Sequence, residues 1–171
     1  MSSEPRPSPP GDAEFDEVAD DDTRWVGFVR AHDATGTIAT LAGVFATRGV
    51  SIDSFSTGDL HGGAGLVVVT FRAGERRQRL LARTVERLPA VSGVLVRRVD
   101  DLGVRAVAVV QAPVGVALRP PAHALVSWSG ETARGAPLLV EGPLVDVEEV
   151  VAAARAAGGT THALVIEPPR T

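Results

Sequence analysis

Between a strand-like run at Trp25–Ala31 (WVGFVRA) and a second one opening at Val50, the chain sets apolar residues at Ile38, Leu41, Ala42 and Phe45. That spacing of i, i+3, i+4, i+7 is one face of an α-helix and fits no strand. Thr37, Thr40, Thr47 and Arg48 fall off the face. Gly49 follows the last periodic residue, where a left-handed stop is expected, and Arg48 in the last turn suits the helix dipole. At the front, Asp33 and Thr35 are capping types, and Gly36 permits a sharp turn. The unit is strand, tight turn, amphipathic helix, strand. The first amides of such a helix lack internal partners. They are either capped by Asp33 or Thr35 or left to hold a small anion or carboxylate.

Val50–Thr57 (VSIDSFST) alternates until Phe55 breaks the phase, which predicts a bulge or bend. Gly58–Gly63 reads as a turn. Gly65–Arg72 (GLVVVTFR) is a continuous apolar run, expected of a central strand covered on both faces. Gly74 and Glu75 open a second helix, with Leu81, Val85 and Leu88 inward and Pro89 closing it. Val91–Val99 is a fourth strand. The order β-α-β-β-α-β is the ferredoxin-like pattern of the α+β class. It implies an antiparallel four-stranded sheet with both helices on one face. Gly65–Arg72 is too apolar to leave the other face in water, so a second copy or a second domain is expected to stack there.

The remainder is less regular. Val104–Gln111 is a strand; Ala112–Pro121 is poor helix material because of its prolines. His123–Ser129 and Pro137–Glu141 read as strands, with Gly130–Gly135 turning between them. Asp146–Glu149 is D-x-x-E, an N-terminal capping pattern, for a helix running to about Ala157 and stopped by Gly158-Gly159. Thr161–Glu167 is a last strand. The order, β-loop-β-β-α-β, is the first pattern with its first helix eroded, a repeat of fold rather than of sequence. Three regions are expected: a tail over 1–23, a ferredoxin-like domain over 24–101, and a divergent copy over 102–171. The tail has four prolines in its first ten residues, then Asp12, Glu14, Asp16, Glu17, Asp20, Asp21 and Asp22. So little apolar surface predicts disorder.

Composition narrows the chemistry. The chain has no cysteine, and all 17 basic residues are arginine, so thiolate, Schiff-base lysine and phosphate-loop lysine chemistry are out. A net charge of -4 gives no overall basic field for nucleic acid. Arg76, Arg77, Arg79, Arg83 and Arg87 line the second helix, read as a solvated face that the acidic tail can satisfy. RNA-binding sheets of this topology need exposed aromatics that GLVVVTFR lacks. The histidines, His32, His61, His123 and His162, share no short metal spacing. No catalytic residue, metal or cofactor is assigned. The polar, proline-rich start is no secretory signal, and no apolar run is long enough to span a bilayer, so a cytoplasmic protein without membrane partners is expected.

The run Gly36-x-Ile38-x-x-Leu41-x-x-x-Phe45-x-x-x-Gly49-Val50-Ser51-Ile52 resembles the ACT domain, a ferredoxin-like module that senses small molecules. It is most similar to the regulatory (small) subunit of acetolactate synthase, in which an ACT domain is followed by a divergent ACT-like one. The resemblance covers Trp25 to Asp100 well and the rest only in layout. It implies a homodimer through the ACT domain, with an amino acid bound between the first turn of one protomer and the second strand of its neighbour. Carried over, the turn offers Asp33, Thr35, Gly36 and Thr37, and the neighbour offers Ser51 and Ile52. Helix-start amides would take the ligand carboxylate, Asp33 its ammonium and Ile52 an apolar side chain. The family often has Asn at position 33, Pro at 35 and Asn at 51, where this chain differs. The implied role is regulation without catalysis. A branched-chain amino acid such as valine would bias a thiamine-diphosphate-dependent catalytic subunit, with a coupling of about 1–3 kcal/mol. The alternative is a stand-alone amino-acid sensor or homodimeric interaction module with no synthase partner. An enzyme is least favoured, for want of a catalytic set.

Overall fold

A computed structural model describes residues 23–32, 36–60 and 64–169. The first half runs β1 (Arg24–His32), α1 (Thr37–Thr47), β2 (Ile52–Leu60), β3 (Ala64–Arg72), α2 (Glu75–Glu86) and β4 (Val91–Arg98). Its sheet has the order β2-β3-β1-β4, antiparallel at each step. Both helices lie on one face: Phe45 and Leu81 pack with Trp25, Val69 and Phe71, and Leu41 and Val85 with Val29 and Val67. The Phe45 and Phe71 rings meet edge to face at 5.3 Å. This is the ferredoxin-like arrangement that the order of elements predicts.

Three local expectations change. The buried stripe of α1 is Thr37, Leu41 and Phe45, with Val44 half-buried, whereas Ile38 is 52% exposed and Ala42 is exposed. The helix has turned to bury Val44 in place of Ala42, a larger apolar side chain, and Thr37 comes inward with it. The β2 strand continues through Gly58, Asp59 and Leu60, paired with Leu66, Gly65 and Ala64, where a turn was expected. The irregularity expected at Phe55 falls at Asp53, where the β2–β3 register shifts. Gly49 does take the left-handed conformation, φ 63°, after α1. The tail, apart from Thr23, lies outside the described residues, as do Asp33, Thr35 and positions 61–63 of the expected turn.

The second half runs β5 (Arg105–Gln111), β6 (Ser127–Ser129), a single 3-10 turn at Thr132–Arg134, β7 (Leu138–Pro143), α3 (Leu144–Ala156) and β8 (Thr160–Glu167). Its sheet order, β6-β7-β5-β8, repeats that of the first half strand for strand. In place of a first helix is the segment 112–126. Pro113, Pro120 and Pro121 remove the amides a helix needs. The buried Thr132 hydroxyl fastens that segment, donating to the Val116 carbonyl at 2.8 Å and accepting from the Leu118 amide at 2.7 Å. Two expectations fail here. His123–Val126 form no strand, because His123 pairs with Glu149 at 2.9 Å and the Leu125 amide donates to Asp146 at 3.0 Å. Asp146 is therefore no cap; α3 starts at Leu144, directly after Pro143, whose fixed φ of -54° suits a helix entrance.

The face of the first sheet opposite α1 and α2 is not open. Val26, Phe28 and Val68 join one buried cluster with Ala106, Ala108 and Val110 of β5, Leu138 and Val140 of β7, and Leu144, Val147, Val150, Val151 and Ala154 of α3. The stacking surface expected from GLVVVTFR is thus met within the chain. The second unit lacks a first helix, and the first unit's bare sheet joins its core instead.

Candidate functional site

Gly36 stands immediately before α1 with φ 91° and ψ -3°, a left-handed conformation that favours glycine. A Cβ there would meet nothing within 4 Å. Among the described residues, no side chain caps the helix. Thr37, the first helical residue, is 9% exposed, and its Oγ1 is buried with no hydrogen-bond partner among the described residues. Leaving a buried hydroxyl unpaired costs about 1–3 kcal/mol, so such an atom marks a place where a partner is expected. Asp33 and Thr35 lie outside the described residues.

Ser51 is exposed and precedes β2; Ile52, its first residue, is half-buried. Trp25 and Ile52 both pair with Phe71, whereas His32 and Leu60 both pair with Ala64. β1 and β2 therefore point the same way, and Ser51 and Ile52 lie at the end of the sheet where β1 begins. Gly36 and Thr37 lie beyond the end where β1 finishes. The 11-residue α1 separates the two groups by about 16 Å. One copy of the chain does not bring Thr37 and Ile52 together. β2 is an edge strand, so its outer side remains able to meet a neighbour.

A charge cluster sits beside Ile52 that sequence reasoning missed. Arg24 donates twice to Glu148 of α3, both at 2.9 Å, and its Nε lies 3.7 Å from Asp53. Arg72 is 3.5 Å from the same Asp53 carboxylate. The Glu148 hydrogen bond, despite the cost of burial, holds the Arg24 guanidinium above its ordinary pKa. Arg24 and Glu148 are 124 positions apart, so no local pattern could have paired them. Among the described residues, no group of three or more His, Asp or Glu is placed to hold a metal, and no helix is long and apolar enough to cross a membrane.

The small subunit of acetolactate synthase from Thermotoga maritima aligns over 86% of this chain and 98% of its own, with a TM-score of 0.57 at 16% identity, a likeness of fold. The regulatory subunit of aspartate kinase from Thermus thermophilus aligns over 81% and 93% at 17% identity, with a TM-score of 0.44. Among curated proteins, no sequence matches the chain. Residues 27–90 match the model of one family, and it spans the stretch from β1 through both helices. That family is the ACT domain.

Proposed function

We propose that the chain is a regulatory protein that binds a branched-chain amino acid at an interface between two copies of its ACT domain and thereby modulates a catalytic partner. Asp33, Thr35, Gly36 and Thr37 of one copy, with Ser51 and Ile52 of the other, form the site. The observation that carries this reading is the Thr37 hydroxyl, buried at the start of α1 and without a hydrogen-bond partner or a capping side chain among the described residues. The outer face of α1 supports the second copy. It presents Ile38, Ala39, Thr40, Ala42, Gly43, Ala46 and Thr47, exposed and uncharged throughout. A helix face without charge is unusual for a surface left in water. The ligand carboxylate takes the first amides of α1 and the Thr37 hydroxyl, Asp33 takes the ammonium, and Ile52 meets the side chain. Binding favours one pairing of the two copies, and that pairing is what the partner senses. The similarity to an acetolactate synthase small subunit supports a thiamine-diphosphate-dependent partner.

The test is calorimetric titration of the full chain with valine, leucine and isoleucine, beside its Gly36→Asp variant. One of the three should bind the native chain. The variant should stay folded, losing about 1 kcal/mol to left-handed strain, and its added carboxylate should abolish binding. Silence from all three would sink the branched-chain reading. Binding without capture of a catalytic subunit in copurification would leave a stand-alone sensor.

A further inference from the structure

We infer that the acidic segment Asp12–Asp22 of the chain docks along the arginine face of its own α2. Arg76, Arg79, Arg83 and Arg87 are all exposed. At 100° per residue they fall within an arc of about 80°. Gln78, Leu81 and Val85, the buried residues of α2, occupy the opposite side. None of the four arginines has a carboxylate within ion-pair distance among the described residues. Arg79, Arg83 and Arg87 repeat at i, i+4, i+8, a spacing at which like charges weaken a helix. Such a stripe is stabilised by an anion lying along it.

The chain itself brings one there. The Ala73 amide donates to the Thr23 carbonyl at 3.1 Å, and α2 begins at Glu75. Thr23, the residue to which that segment is joined, is therefore held two residues from the start of α2. Asp16, Glu17, Asp20, Asp21 and Asp22 lie within the seven residues before Thr23. Extended, those seven reach about 23 Å, and the 12-residue α2 is about 18 Å long. Tethering makes the contact intramolecular, so weak individual ion pairs add up at a high effective concentration. The stripe is then closed to nucleic acid and to acidic partner proteins.

The test uses the absence of cysteine. A single Ala13→Cys carries a nitroxide label in the full chain, and amide signals are read by NMR. Docking predicts selective loss of the α2 signals from Arg76 to Arg87. The signals should return in 1 M salt, where charge is screened within about 3 Å. They should return equally in D16N/E17Q/D20N/D21N/D22N, and in R76Q/R79Q/R83Q/R87Q, whose changes are confined to exposed positions. Uniform broadening, or selective loss that survives either set of substitutions, overturns the docking. Broadening carried from labelled to unlabelled chains in a mixed sample overturns the intramolecular form, as the occupant would then be a second copy.

Discussion

Thr37 is the residue on which the proposed site turns. It reads from sequence as a solvent-side threonine one step before the apolar periodicity, yet it is 9% exposed with an Oγ1 unpaired among the described residues. The periodicity of α1 was legible because Leu41 and Phe45 dominate it. The phase was not, because exchanging Ala42 for Val44 is a tertiary choice made by the sheet beneath. Thr37→Val tests both sides of the hydroxyl at once. In the unliganded chain the change removes an unsatisfied polar atom at nearly constant shape, so stability should rise by on the order of 1 kcal/mol. For a chain of this size that is roughly 2–4 °C in Tm. Binding of the amino acid should weaken by tenfold or more, about 1.4 kcal/mol. Calorimetry and a thermal melt measure the two effects. An unchanged affinity would remove Thr37 from the site, and a lower Tm would show that its hydroxyl is already satisfied.

At the scale of elements, the strands and helices of the first unit were legible because each carries its own period. The elements of the second were less so. His123–Ser129 has the residues of a strand, but Pro120 and Pro121 precede it and α3 claims His123 and Leu125 through Glu149 and Asp146. What joins the units is not local at all. Arg24 at the start of β1 reaches Glu148 in α3 with two parallel hydrogen bonds, and Asp53 lies on its other side. Its raised pKa means the folded state favours the charged form. That stability is full below the ordinary arginine value and is lost only as pH rises through the folded one, well above neutrality. Arg24→Met and Glu148→Leu should each cost about 1 kcal/mol, the upper end for a pair about one-third exposed. Chemical denaturation of the double variant should show less than the sum of the single losses, because each single change leaves a part-buried charge alone. Strict additivity would mean that the bridge contributes nothing as a pair.

For the whole molecule, the sequence foretold that the bare face of the first sheet must be covered, since GLVVVTFR is apolar on both sides. It left open whether a copy or a domain does the covering, because patterning reports that a face is apolar and not what lies against it. The buried cluster running from Val26, Phe28 and Val68 to α3 and β5 answers that, and it has a thermodynamic consequence. Two units that share a core cannot lose one half without exposing the other, so they should unfold together. The tryptophans allow a direct measurement. Trp25 is buried in the first unit, its Nε1 donating to the Ala73 carbonyl at 2.7 Å, whereas Trp128 is 43% exposed on β6 of the second. In Trp128→Phe, an edge change within about 0.5 kcal/mol of neutral, fluorescence reports the first unit alone while far-UV circular dichroism reports both. With urea the two curves should share one midpoint and one slope. A Trp25 signal that persists after half the dichroism is gone would mean that the first unit stands without the second, and that the shared apolar layer adds packing but no cooperativity.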